Sequence, residues 1–117
     1  MGSTQRFATG ATRDADEGKL DYEGFLSPLA IKRYAQYMHE HRMQSDGTLR
    51  DSDNWAKGIP RRKYMKSLYR HVLDVWYLLR EYPELATTND IQDALCGVMF
   101  NSMGMLHEIL LKRDVNS

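Results

Sequence analysis

Two pairs of polar residues at i, i+3 spacing carry the strongest chemical signal in the chain. One is His71 and Asp74, within Arg70-His71-Val72-Leu73-Asp74; the other is Asp90 and Asp93, within Asn89-Asp90-Ile91-Gln92-Asp93-Ala94. Each pair lies in an apolar helical pattern, so each projects two ligand-capable groups from one helix face, one turn apart. Packed together, the two faces would form a single polar site. Three carboxylates and an imidazole at such a junction suit a divalent cation carrying phosphate oxygens. They equally suit a structural hydrogen-bond network.

Three main helices are needed to position these groups. Ser27-Pro28 reads as a helix start, the serine capping orphan amides and the proline pre-set for the first turn, and the helix is expected over residues 28–43. Asp46-Gly47 marks a turn in the polar stretch that follows. A second helix is expected over 61–82, bracketed by Pro60 and Pro83. Its stripe of Tyr64, Leu68, Val72, Val75 and Leu79, widened by Met65, Tyr69 and Trp76, predicts the core face, with Ser67, His71, Asp74 and Leu78 on its border.

A third helix, capped at Thr88, Asn89 or Asp90, is expected to reach about Lys112. Ile91, Leu95, Val98, Met99, Met105, Leu106, Ile109 and Leu110 occupy one broad side of it. On the opposite side, Asp90, Asp93, Gly97, Asn101, Gly104 and Glu108 share an arc of about 80°. Glycine inside a helix costs up to about 1 kcal/mol against alanine, so Gly97 and Gly104 on this stripe imply a close approach, by default of another helix.

The whole chain sets the bounds. At 117 residues it is one small domain with much surface for its volume, which favours oligomerisation. Sixteen acidic and 16 basic residues balance, so no global field points to nucleic acid or to an anionic membrane. Cys96, the single cysteine, reads as a small buried thiol. With no charged-then-apolar leader, and no apolar run near the roughly 20 residues that span a bilayer, a soluble cytoplasmic protein is expected.

Residues 1–26 show no sustained period and read as an extended arm, leaving 27–117 as the helical domain. Phe7, Leu20, Tyr22, Phe25 and Leu26 space apolar anchors along the arm. Arg13 and Lys19, with Gly10 and Gly18 close by, could reach an anion. Trp55 serves either as a packing anchor or as a surface for a stacked base, and Lys57 beside Gly58 fits a phosphate contact. Asn101 could hold a sugar hydroxyl or a base edge, or make an interhelical hydrogen bond. His39 and His41, at i, i+2, point to different helix sides and make a poor metal pair. The basic run Arg61-Arg62-Lys63 reads as a solvated face.

Several segments resemble a known family: Phe7-Ala8-Thr9-Gly10-Ala11-Thr12-Arg13-Asp14, Gly18-Lys19, Tyr22-Glu23-Gly24-Phe25-Leu26-Ser27-Pro28, Asn54-Trp55-Ala56-Lys57-Gly58-Ile59-Pro60, Ser67-Leu68-Tyr69-Arg70-His71, and Asp93-Ala94-Leu95-Cys96 with Phe100-Asn101. The family is common in phages and bacteria and is often named for dATP/dGTP diphosphohydrolase activity. It is similar in turn to the all-α, MazG-like nucleoside triphosphate pyrophosphohydrolases. The resemblance implies a helical homo-oligomer that holds magnesium between two helices and cleaves triphosphates to monophosphate and pyrophosphate. By position, His71 with Asp74 and Asp90 with Asp93 stand where the wider superfamily carries a glutamate pair and a glutamate-aspartate pair.

The expectation is therefore an all-α bundle of three main helices, with a purine (deoxy)nucleotide pyrophosphohydrolase site. His71, Asp74 and Asp93 would be catalytic, and Asp74, Asp90 and Asp93 would hold Mg²⁺ or Mn²⁺. Arg13, Lys19, Asn54, Trp55, Lys57, Arg70 and Asn101 would contact the nucleotide. The alternative is a phage protein of the same fold that sequesters a nucleotide or cyclic nucleotide immune signal without cleaving it, for which the thin carboxylate set argues. The blandest alternative is a helical assembly module without a small ligand.

Overall fold

The computed structural model describes residues 3–116, so the first two residues of the expected arm and the last of the helical domain lie outside it. The protein is mostly helical, with 59% of its residues in helices. The elements run β1 (Thr4–Arg6), β2 (Thr12–Asp14), α1 (Tyr22–Phe25), α2 (Pro28–Glu40), α3 (Arg61–Glu81) and α4 (Asn89–Leu110), with 3-10 turns at Asn54–Lys57 and Pro83–Leu85. The three long helices fall where the sequence places them.

The arm is more ordered than its composition implies. β1 and β2 pair antiparallel, Gln5 opposite Arg13, around a turn in which Gly10 takes φ 89° and donates its N–H to the Phe7 carbonyl at 2.9 Å. Both strands are short and polar, so no alternation announces them. α1 is a single capped turn, with Asp21 Oδ1 accepting from the Gly24 amide at 2.8 Å.

α2 starts as its sequence dictates, with Ser27 Oγ accepting from the Ala30 amide at 3.1 Å and Pro28 in the first turn. It ends at Glu40, short of the expected position, because the chain folds into a tight loop. Arg50 N donates to Arg42 O at 2.8 Å, Met43 and Leu49 form an isolated bridge, and Gly47 supplies the left-handed turn at φ 86°.

The α3–α4 contact holds the fold together, and glycines make it. A Cβ built on Gly97 would lie 2.5 Å from His71 Nδ1, and one on Gly104 would overlap the Tyr64 ring. Tyr64 and His71 are about two turns apart on α3, as Gly97 and Gly104 are on α4, so each ring is seated in a glycine gap of an antiparallel neighbour. Tyr64 is only 1% exposed and meets Phe100 edge-on, with ring centroids 5.8 Å apart.

This contact corrects the expected core. Of the expected core stripe, Tyr64 is buried and Leu68 and Val75 are half-buried, together with Ser67, His71 and Leu78 of its border, whereas Met65, Tyr69, Val72, Leu73, Trp76 and Leu79 remain exposed. α4 likewise buries Gly97, Asn101, Gly104 and Glu108, and leaves Leu95, Leu106, Ile109 and Leu110 exposed. The glycine stripe wins the helix contact because only there can two backbones come close enough to bury whole rings.

The tail returns over the start of α3. Lys112, at φ 56°, reverses the chain, and Arg61 Nη2 and Nε donate to the Arg113 carbonyl at 2.8 and 3.1 Å. Glu108, with no exposed surface, is gripped by a two-point fork from Arg113, with Nε–Oε1 at 2.5 Å and Nη2–Oε2 at 2.9 Å.

The glycine seats give a test whose sign is fixed by two opposing terms. Gly97→Ala gains up to about 1 kcal/mol of helix propensity, but it displaces the His71 ring from its root, and overpacking of this kind costs about 1–3 kcal/mol. Urea unfolding should therefore show a net loss of stability in the wild-type background. In a His71→Ala background the same substitution should be neutral or stabilising.

Candidate functional site

The four residues of the two i, i+3 pairs line one cleft. His71 and Asp74 enter it from α3, Asp90 and Asp93 from α4, and together with Tyr37, His41, Leu78 and Ala94 they enclose about 330 Å³. The antiparallel seating of His71 on Gly97 sets this register, since it brings the next turns of α3 beside the first turns of α4.

Electrostatics in the cleft are partly balanced by α2. Arg33 Nη2 donates to Asp93 Oδ1 at 2.6 Å, and Arg33 Nε donates to Gln92 Oε1 at 2.7 Å. The hydrogen bond to Asp93 raises the Arg33 pKa further above its already high value. Tyr37, buried at the α2 side, has its phenol pKa raised by burial first and by the Asp93 charge second. Burial likewise raises the Cys96 thiol, so Cys96 stays a neutral packing residue.

Among the described residues, no three His, Cys, Asp or Glu groups stand close enough together to hold a metal ion by themselves. Magnesium does not need such a cage, because it is commonly held by one or two carboxylates, water and the phosphates of a substrate. Asp74 and Asp90 on the shared wall provide hard oxygen donors of that kind, while Asp93 is shared with Arg33.

A second, larger hollow of about 560 Å³ adjoins the cleft, and Tyr37, His41 and His71 line both. Its walls carry Asn54, Trp55 and Asn101 from the sequence-derived set, with Tyr34 and Phe100 as further rings. Trp55 is packed and also presented to the hollow: its indole meets the His107 ring edge-on at 4.8 Å between centroids. Asn101, 4% exposed, donates Nδ2 to the Gly97 carbonyl one turn back at 2.7 Å, a bond within its own helix rather than across helices.

Four of the sequence-derived candidates line neither hollow. Arg13 lies on β2 and Lys19 between β2 and α1. Lys57 pairs with Asp51 at 3.6 Å, and the exposed Arg70 donates to Ser67 Oγ at 2.8 Å. The cations that do line the larger hollow are Arg42 and Arg50, and the imidazoles of His39 and His41 line it with them.

His41 is the residue whose setting the sequence least revealed. Its Nδ1 lies 2.8 Å from the Tyr37 carbonyl, an acceptor only, so Nδ1 carries the proton and Nε2 is the free ring nitrogen. The ring also lies against Tyr37, centroids 4.1 Å apart. Because α2 ends at Glu40, His41 sits at a helix end, and i, i+2 reasoning about helix sides does not apply to it. A Gly-containing turn closely following the Arg42 segment was the available signal.

Comparison with known proteins returns no matching family model, no matching curated protein and no matching solved structure. The fold and the paired hollows therefore define the class: a small, mostly helical protein with an acidic cleft opening beside an aromatic and basic one.

The Glu108–Arg113 fork supports one wall of the larger hollow, since Arg113 Nη2 also donates to Ala56 O at 3.3 Å, next to Trp55. The fork's hydrogen bond holds the Glu108 carboxyl below its ordinary pKa. With the folded value depressed, this stabilisation is present above the unfolded carboxyl pKa and is lost as pH falls through the folded one. Acid titration of unfolding should thus show a destabilisation below the usual carboxylate range that is shallower in Glu108→Gln.

Proposed function

We propose that the protein is a metal-dependent pyrophosphohydrolase of purine (deoxy)nucleoside triphosphates, acting in the cytoplasm and releasing monophosphate and pyrophosphate. The observation that carries this reading is the adjacency of an acidic cleft and an aromatic, cation-bearing hollow with His41 and His71 between them. A base fits between the rings of Trp55, Tyr34 and Phe100, with Asn54 and Asn101 for polar contacts at its edge. Its phosphates then extend toward the carboxylates.

Asp74 and Asp90, with Asp93 once released from Arg33, would hold magnesium, which when bound offsets phosphate charge and polarises the phosphoryl oxygens. Water adds to the α-phosphorus. The bond from that phosphorus to the α,β-bridging oxygen breaks, and its electron pair leaves with pyrophosphate. His71, held flat against Gly97 at the junction, orients the water and accepts its proton.

A second reading is favoured by one specific observation. Asp93 is engaged by Arg33 at 2.6 Å, which leaves a smaller set of open carboxylates than a hydrolytic site ordinarily uses. A protein so built would bind and sequester a nucleotide or cyclic nucleotide signal intact. Incubation with ribo- and deoxyribonucleoside triphosphates and Mg²⁺, with products resolved by chromatography, separates the two. The hydrolase reading expects monophosphate and pyrophosphate in wild type and at least about a 100-fold loss of kcat in Asp74→Asn and Asp93→Asn, as for removal of a charge-stabilising group. Intact nucleotide in every reaction overturns it.

The reading includes a homo-oligomer. Tyr69, Leu73 and Trp76 lie along one side of α3, Trp76 at 65% exposure, and the net charge of zero leaves two copies free of mutual repulsion. Light scattering should report an assembly for the wild type and a smaller species for Leu73→Glu or Trp76→Glu. A wild type that is monomeric at all concentrations contradicts this part.

A further inference from the structure

We infer that Arg42 and Arg50 form a polyphosphate clamp. This deepens the nucleotide reading above and rests on it for the ligand's identity, but it identifies the cations that grip the phosphate chain, which the motifs did not.

Both guanidiniums line the larger hollow, on the loop that follows α2, on either side of the turn at Gly47. Each is fixed by one backbone acceptor. Arg42 Nε donates to the Arg50 carbonyl at 2.7 Å, and Arg50 Nη1 donates to the His41 carbonyl at 3.1 Å. The loop that carries them is itself locked, with Arg50 N on Arg42 O at 2.8 Å and Gln44 N on Thr48 O at 2.8 Å. Asp46 Oδ1 accepts from the Thr48 amide at 3.0 Å and from its hydroxyl at 2.6 Å. The guanidiniums are therefore preorganised.

Among the described residues, their remaining side-chain N–H groups have no hydrogen-bond partner. Among the described residues, neither Arg42 nor Arg50 has a carboxylate within ion-pair distance, although Arg33 and Arg113 each have one. Asp51, which follows Arg50 and lines the same hollow, pairs with Lys57 at 3.6 Å. Two like charges on one short loop, with no carboxylate in direct contact, repel each other, and a polyanion in the hollow offsets that repulsion. Two planar forks match the paired oxygens of adjacent phosphates better than point charges would. Because both attach to the His41 segment, the clamp stands beside the junction from which the acidic cleft opens.

The test is calorimetric titration with inorganic tripolyphosphate, without divalent metal and at low salt, so that neither turnover nor metal binding enters. Arg42→Ala and Arg50→Ala should each weaken binding by about 10-fold or more, following the strength of charge-assisted forks. Arg42→Lys and Arg50→Lys, which keep the charge, should still lose several-fold, and Lys66→Ala on the surface of α3 should bind as wild type. If Arg50→Ala does not fold, as judged by circular dichroism, the Arg42 pair of variants decides. Wild type that does not bind tripolyphosphate, or Arg42→Ala that binds it undiminished, overturns the clamp. Failure of the hydrolase reading would instead appear as intact nucleotide in the product assay with tripolyphosphate binding unchanged.

Discussion

The seating of two α3 rings in two glycine gaps of α4 is the constraint on which the rest of the structure depends. Neither Gly97 nor Gly104 can gain even one carbon without displacing His71 or Tyr64. Since each gap accepts only one ring, the register of the two helices is fixed: a slip of one turn would drive a side chain into a ring in both places. The placement of both hollows follows from that register. It aligns Asp74 with the turns that carry Asp90 and Asp93, and it leaves His71 held on the wall between the two hollows.

The other elements complete what the helix pair begins. α2 closes the acidic cleft through the Arg33 contacts to Gln92 and Asp93, and its end delivers His41 and the loop bearing Arg42 and Arg50. The C-terminal tail, through Glu108 and Arg113, steadies the segment around Trp55 from the opposite end of the pair. The hollows are thus assembled from segments far apart in sequence, with α2 tied to α4 through Arg33–Asp93 and the tail through Arg113–Glu108.

Much of this was legible in the sequence. Proline and serine punctuation located the three long helices, and glycines on a polar stripe announced the close approach that the His71–Gly97 contact realises. The i, i+3 spacing put each of the pairs His71–Asp74 and Asp90–Asp93 on one helix face, and the packing of α3 on α4 brings the two faces to one cleft. Other features were hidden for physical reasons. Apolar periodicity marks the side of a helix that avoids water, and it does not say whether the cover comes from the same chain. α3 and α4 turn their glycine and ring stripe inward and leave Trp76 and Leu110 exposed, opposite to what hydropathy suggests for an isolated chain. The hairpin of β1 and β2 lacks apolar alternation. The roles of Arg42 and Arg50 depend on backbone bonds of a loop, which no spacing rule encodes.

In the proposed function one phosphate-bearing nucleotide would span both hollows, with its base among Trp55, Tyr34 and Phe100 and its phosphates reaching the carboxylates of α3 and α4. The most direct measurement is a crystal structure of the protein with a non-hydrolysable deoxyguanosine triphosphate analogue and Mn²⁺, the metal located by its anomalous signal. The account predicts a manganese peak at Asp74 and Asp90 and phosphate oxygens on the same ion. An analogue bound elsewhere, or a manganese peak away from both carboxylates, would contradict it.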